Sequence, residues 1–369
     1  MFLKWIKFEN FRIYDSATIE FSDGLNFIVG GNGQGKTSVL ESIYMYCTTK
    51  SFRTSSDSEL VRFNCDSYSF DGQILDTVNH NLRIFYSLNE GKKTYFKDSK
   101  PVHRATEIIG KFPVVLLTPD DHSITAGYSL ERRKFVDSVI SQSSEMYLKH
   151  LLDYNKTLRQ RADLLSKIRE TGSRELIDQL DAWTEKLVQT GVELISYRRK
   201  FINELDPFIK KSYSLISNKK EAPSIYYKTI SDDQTDLSRF FLAKLNSLQK
   251  AEIAKGANLA GPHKDDFVFF INGKELKTYG SQGQHKTFQV SLRFAQFFYL
   301  KEKLGKNPFF LLDDVFGELD TERSVAISDF LREIGQAFIT LTDFSNFKFL
   351  KRSENDRLIS VDKGSFCYG

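Results

Sequence analysis

The residues with the clearest chemical potential are Gly30, Gly31, Asn32, Gly33, Gln34, Gly35, Lys36 and Thr37. Their spacing fits the phosphate-binding pattern Gly-x4-Gly-Lys-Thr. Glycines let a backbone curl until its N–H groups converge on phosphate oxygens, and a following helix adds the positive end of its dipole. In this pattern Lys36 contacts the β- and γ-phosphates, and Thr37 places its hydroxyl on Mg²⁺. The pattern needs a strand before it and a helix after it. The apolar run from Leu25 to Val29 supplies the first, and helix formers such as Leu40 and Glu41 begin the second.

A second group is Leu311-Leu312-Asp313-Asp314-Val315-Phe316. A carboxylate ending a buried strand can reach a magnesium ion beside the loop. Asp313 is the candidate metal residue, acting through water, and Asp314 the candidate that polarises an attacking water. A third group is Ser281-Gln282-Gly283-Gln284, at the start of a helix. A serine hydroxyl, a glycine N–H and a helix N-terminus together make an anion site. Read alone it is only a helix cap; its place between the other two groups gives it weight.

The elements that must position these groups follow from periodicity. Residues 1 to about 118 read as strands around at least one helix. Ala17, Ile19 and Phe21 alternate with polar residues, and Asp71-Gly72 and Asn89-Glu90-Gly91 mark turns. From about Tyr128 to Lys250 the pattern is helical. One apolar stripe runs from Leu148 to Ile168, is broken at Thr171-Gly172-Ser173, and resumes from Leu176 up to Pro207, which suggests an antiparallel helix pair. Near residue 256 the α/β character returns. A hairpin is expected around Asn272-Gly273, a helix over His285–Glu302, and buried parallel strands at Phe309–Leu312 and Ala337–Ile339. The expected division is therefore 1–120, an N-terminal core part; 121–255, a helical insertion; and 256–369, a C-terminal core part.

Composition bounds the function. Lys and Arg number 52 against 48 Asp and Glu, a net charge of +4 that permits nucleic-acid binding without requiring it. An apolar fraction of 40% excludes a wholly disordered chain. No run approaches about 18 uncharged apolar residues, so no membrane span is expected. The three cysteines lie far apart, without a Cys-x-x-Cys pair. That points to a reducing, cytoplasmic setting and away from structural zinc.

The order phosphate loop, long insertion, Ser-x-Gly-Gln helix and acidic strand resembles the ABC-type ATPases, and within them the SMC and RecF branch. Further segments narrow this to the RecF family of recombination mediators: Asn10-Phe11-Arg12, Lys50-Ser51-Phe52-Arg53-Thr54, Glu131-Arg132-Arg133-Lys134-Phe135-Val136-Asp137, Gly261-Pro262-His263-Lys264-Asp265-Asp266 and Leu311 to Asp320. The resemblance covers nearly the whole chain. It implies an α/β fold: an ABC-type P-loop ATPase head with a mixed β-sheet and an inserted helical domain. It implies ATP and Mg²⁺ as cofactors, with Ser281, Gly283 and Gln284 closing over the γ-phosphate held by a second subunit. Glu318-Leu319-Asp320 matches the loop along that seam, and Arg12 resembles a residue near the base and α-phosphate.

Several positions depart from the family pattern. Ser129 stands where proline is common, His285-Lys286 replaces Gln-Arg, and Gly317 replaces serine. No histidine follows the last strand, where Thr340 and Thr342 are the polar candidates. Asp314 follows the usual RecF pattern, but is one methylene shorter than the glutamate of transporter ATPases, which suits slow turnover. Arg12 also reads as a surface arginine, and Arg53 can reach either nucleotide or seam. Arg132 and Arg133 suit DNA or an intrachain ion pair. Arg198-Arg199-Lys200 reads as a solvated face, and His263 as part of a turn.

The function implied is an ATP-gated DNA clamp for recombinational gap repair, replication restart and SOS induction. It would be a weak, DNA-stimulated ATPase that dimerises on ATP at single-stranded/double-stranded junctions or gaps and works with RecR and RecO, away from membranes. Two rivals are the ATPase subunit of a membrane transporter and a short SMC-like structural ATPase. The first predicts a smaller chain and a histidine switch, the second a far longer helical rod.

Overall fold

The computed structural model describes residues 1–217, 220–232, 235–318, 320–344 and 353–369. The chain begins with β1 (Phe2–Phe11), β2 (Tyr14–Glu20), β3 (Leu25–Val29), α1 (Lys36–Thr48), β4 (Ser67–Leu75), β5 (Asn79–Ser87), β6 (Lys92–Lys97), β7 (Lys100–Val102) and β8 (Val114–Leu117). A helical stretch follows: α2 (His122–Ala126), α3 (Ser129–Ser143), α4 (Glu145–Thr171), α5 (Glu175–Ile216), then β9 (Pro223–Lys228) and α6 (Leu237–Lys255). The remainder is β10 (Asp266–Ile271), β11 (Lys274–Glu275), α7 (Leu276–Tyr279), α8 (Gln282–Leu304), β12 (Phe309–Asp313), α9 (Thr321–Ile334), β13 (Ala337–Leu341), β14 (Arg357–Asp362) and β15 (Ser365–Tyr368).

The chain packs as two compact units. One comprises residues 1–121, 212–219 and 290–369, the other 122–211 and 220–289. Residues 256–289 thus group with the helices rather than with the core, unlike the expected boundary near 255. The cause is strand pairing: β10 zips antiparallel onto β9 and β11.

The first unit holds two six-stranded sheets. One is antiparallel, in the order β2-β1-β4-β5-β6-β7, and the other is mixed, in the order β15-β14-β3-β13-β12-β8. In the mixed sheet β14, β3, β13, β12 and β8 run parallel and β15 closes one edge antiparallel. The central strands Phe309-Phe310-Leu311-Leu312-Asp313 and Ala337-Phe338-Ile339-Thr340-Leu341 are buried at every position. Such strands have no solvent face and therefore no alternation. Phe309, Leu311 and Phe338 join one core with Val39, Leu40 and Ile43 of α1 and Leu3, Ile6, Phe8 and Ile84 of the antiparallel sheet. The opposite face is filled by aromatic contacts, with Phe294 of α8 stacked 5.1 Å from Phe310 and tilted 4.5 Å from Phe330 of α9.

Two local expectations differ from the structure. Asp71-Gly72 is not a turn: Gly72 lies inside β4, paired with Ile6 and Leu82. A Cβ there would come within 2.8 Å of the Tyr46 hydroxyl, so close packing is what calls for glycine. Nor does the second long helix stop at Pro207, since α5 runs on to Ile216. Proline removes one backbone donor, yet Ile209, Tyr213 and Ile216 continue the buried stripe beyond it.

The second unit is organised by the expected helix pair. α4 starts at Ser144, whose side chain accepts the Tyr147 N–H, and ends at Gly172. Leu164, Leu165 and Ile168 of α4 pack with Leu180, Leu176 and Trp183 of α5 and with Ile253 of α6. Beneath them Arg161, 1% exposed, forks onto Glu252, Asn258 and Thr184.

Candidate nucleotide site

The loop of the first group joins β3 to α1. Gly35 immediately precedes the helix at φ +103°, in the region that favours glycine, and a Cβ there would lie 2.7 Å from the Tyr14 hydroxyl. That hydroxyl donates to the Gly35 carbonyl at 3.0 Å. Gln34 accepts the Lys363 N–H at 2.6 Å, tying the loop to the turn between β14 and β15. Gly31, Asn32 and Gly33 fill the curve, and Gly30 continues the sheet by donating to the Leu341 carbonyl.

Lys36 reaches back along the loop and donates to the carbonyls of Gly30 at 2.7 Å and Gly31 at 2.9 Å. Burial lowers its pKa, while Asp314 and Asp313 pull it back up. Thr37 donates its hydroxyl to Asp313 Oδ1 at 2.9 Å. Two segments far apart in the chain thus meet as the second group predicts. Asp313, 9% exposed, ends β12 and receives a second hydroxyl from Thr340, also at 2.9 Å. Burial raises the Asp313 pKa; the Thr340 and Thr37 hydroxyls and the charge of Arg53 oppose this, while Asp314 adds to it. Asp314 is exposed, sits at φ +52° and donates its N–H to Thr340 Oγ1 at 2.9 Å.

A hydroxyl and a carboxylate meeting at the N-terminus of a helix are hard oxygen donors, the set that suits Mg²⁺. Thr37 and Asp313 are therefore the residues that could hold the metal. Lys36 and the N–H groups of the loop could take phosphate.

Other expected residues sit as follows. Arg12 makes a bidentate pair with Glu41, at 2.9 and 2.7 Å, and bonds the Glu59 carbonyl at 3.0 Å. Glu41, fully buried, also accepts the Ser51 hydroxyl. The charged side chain that anchors Arg12 and the Lys50–Thr54 segment to α1 was missed from sequence. Its one signal was a lone acid among Val39, Leu40 and Ile43. Tyr14 was likewise not placed at the site, whereas Thr340, one of the two polar candidates named for the end of the last strand, is the one that reaches Asp313.

Ser281 and Gln284 form a reciprocal capping box at the start of α8, with bonds of 3.2 and 2.9 Å. Ser281 is exposed, and Gln284 also donates to Glu221 at 2.8 Å. His285 bonds Thr125 at 3.0 Å. Asp320 caps α9 by accepting the Arg323 N–H at 3.0 Å. Leu319 of the expected seam loop lies outside the described residues.

Arg132 and Arg133 form intrachain bonds. Arg132 forks onto Asp266, and Arg133 donates to the Asp265 carbonyl and to Ser129, the serine that stands where proline is common. Arg198 corrects the expected solvated face: it is 2% exposed, forked on Asp137 and bonded to the Pro262 carbonyl. Spacing alone did not show this, because the acids that bury it come from distant segments. His263 belongs to a turn, bonded to Tyr154 at 2.8 Å.

A glycine-rich loop between strand and helix, with a carboxylate from the end of a parallel strand two places along the same sheet on its threonine, defines an ABC-type P-loop ATPase head with a mixed sheet and an inserted helical domain. The family model for the RecF/RecN/SMC N-terminal domain matches residues 2–364. The chain is 36% identical to the DNA replication and repair protein RecF of Chloroherpeton thalassium, across 96% of this chain and 98% of that one. It resembles solved structures of the recombination mediator protein, RecF-ATPrS in the RecFOR pathway (TM-score 0.91, 32% identity, covering 100% of this chain and 98% of that one) and RecF-ATP (TM-score 0.90, 31% identity, covering 100% and 97%). The chain belongs to the RecF family.

Proposed function

We propose that this chain is an ATP-dependent DNA-binding protein of recombinational gap repair in which ATP joins two copies. The observation that carries the reading is the 2.9 Å contact between Thr37 of the phosphate loop and Asp313 of the acidic strand. The loop N–H groups and Lys36 bind the triphosphate, and Lys36 exchanges the carbonyls of Gly30 and Gly31 for phosphate oxygens. Thr37 and Asp313 hold Mg²⁺, which when bound neutralises phosphate charge. Asp314, exposed beside them, orients the attacking water. Its short side chain suits slow hydrolysis.

The helix start at exposed Ser281 and half-buried Gly283 and Gln284 then serves a second copy, closing over the γ-phosphate in that copy's loop, with Asp320 along the seam. Arg12, held toward α1 by Glu41, supports the nucleotide's α-phosphate side. Contacts to DNA at single-stranded/double-stranded junctions or gaps go chiefly to backbone phosphates. RecR and RecO are the partners, and roles in replication restart and SOS induction follow. The 36% identity to a DNA replication and repair protein supports this assignment.

Sedimentation velocity with and without ATP, and with a duplex bearing a single-stranded gap, tests it. ATP is expected to convert monomer to dimer and to tighten binding to the gapped duplex. A chain saturated with ATP that stays monomeric defeats the reading.

A further inference from the structure

We propose that Thr340 is the positioning residue for both acids of the site: its hydroxyl proton holds Asp313 and its hydroxyl oxygen holds Asp314. The inference rests on the ATP-hydrolysing reading above.

A hydroxyl has one proton to give and lone pairs to receive. Thr340 Oγ1 lies 2.9 Å from Asp313 Oδ1 and 3.5 Å from the Leu312 carbonyl. The carboxylate is both nearer and charged, so it takes the proton. The same oxygen accepts the Asp314 N–H at 2.9 Å. Strand register makes this possible, since Thr340 is the parallel partner of Asp313 in the β12–β13 pair. Neighbouring side chains on parallel strands stand on the same face of the sheet. Thr340 is 1% exposed, and its β-branched side chain is stiff at χ1.

Each contact has a consequence. Thr37 and Thr340 both donate to Oδ1 of Asp313, so Oδ2, which takes neither of these bonds, would be the oxygen to accept from a water on Mg²⁺ were the ion bound. Asp314 leaves the strand at φ +52°, a conformation L-residues seldom adopt. The bond from its N–H to Thr340 fixes that conformation and hence the origin of the side chain that orients water. One hydroxyl therefore sets the metal residue and the water residue relative to each other. Thr342, exposed beyond the strand end, has no such place.

The test compares wild type, Thr340→Val and Thr340→Ser. Three quantities are read: affinity for a fluorescent ATP analogue without Mg²⁺, the Mg²⁺ concentration that half-saturates tight binding of a non-hydrolysable ATP analogue, and kcat. For Thr340→Val, metal-free affinity should stay within about twofold. The Mg²⁺ requirement should rise, and kcat fall, about ten- to hundredfold, as when a partner of a metal ligand is removed. Thr340→Ser, which keeps donor and acceptor, should restore both to within a few-fold. Should the valine variant not fold, Thr340→Cys, a weak donor and weak acceptor, is read in the same way. An unchanged Mg²⁺ requirement and kcat in Thr340→Val overturns the inference, and so does a serine variant no better than valine. A wild-type chain that neither binds nor hydrolyses ATP overturns the underlying reading instead.

Discussion

Two polar clusters in this molecule use the same side chains to opposite ends. Around the phosphate loop, Lys36, Thr37, Asp313 and Asp314 are held by few bonds, and some of those are exchangeable, such as Lys36 to two loop carbonyls. In the helical unit, Arg132, Arg133, Arg198, Asp137, Asp265 and Asp266 lock one another. There the acids are satisfied by arginines and hydroxyls, Tyr147 on Asp137 and Tyr227 on Asp265 among them. On the function proposed above, the first cluster keeps valence for a ligand, whereas the second satisfies its charges inside the fold. The lesson is that a charged motif acts on ligands when geometry leaves donors and acceptors in reserve. Richness in charge alone does not decide it.

Substitutions can break this contrast. The largest effect is expected from Arg198→Ala. Removing the guanidinium leaves Asp137 and Asp265 without their main counter-charge, which should cost about 3–5 kcal/mol of stability. Urea denaturation should show it, while ATP affinity of the molecules that remain folded should be near normal. Next comes Lys36→Ala, which deletes a charged hydrogen bond of about 1.5–3 kcal/mol. Titration with a fluorescent nucleotide should show binding and ATP-driven pairing lost, with the melting temperature little changed. If the arginine variant instead lost nucleotide binding at full stability, the two clusters would not be separable in this way.

Ser281→Arg sharpens the same comparison. It removes one helix cap, worth about 1 kcal/mol, and places bulk and charge on an exposed helix start. ATP binding should persist and the ATP-dependent dimer should be lost; normal dimerisation in sedimentation would remove Ser281 from the seam.

The smallest effect concerns pH. Burial holds His263 at about 4, below its ordinary value of 6.5, with Lys264, Arg133 and Arg198 adding to the shift. The unfolded chain therefore binds the proton first. The contribution of His263 to stability is intact above pH 6.5 and falls as pH drops toward 4. Asp265, raised to about 6 by burial despite Arg198, Tyr227 and Thr229, has the opposite sign: its ionisation in the fold costs stability as pH rises from 3.8 toward 6. Comparing wild type with His263→Gln isolates the first slope. The advantage of wild type should shrink between pH 7 and pH 5 in chemical denaturation, and a constant difference would show that His263 does not titrate in this way.

The geometry of the loop between its strand and its helix was legible from residue types alone. A Gly-x4-Gly-Lys-Thr turn carries its ligand preference in its own backbone, and its strand and helix are sequence neighbours. The buried strands Phe309–Leu312 and Ala337–Ile339 were equally plain, because burial on both faces demands an unbroken apolar run. The Asp71-Gly72 pair misled, since a glycine serving close packing looks in sequence like one serving a turn. Pro207 misled because tertiary burial of the next turns outweighed one missing donor.

What sequence determined by itself was therefore whatever local geometry can encode: the phosphate loop, the acids at a strand end, the capping box at Ser281 and the alternation of element types. Only tertiary structure decided which charges were available. Arg198 and Arg132 became internal ties, Glu41 became the anchor of Arg12, and Thr340 came to bridge two acids. The physical reason is that pairing energies depend on distance and on exclusion of water. Both are set by the folding together of segments that share no sequence neighbourhood.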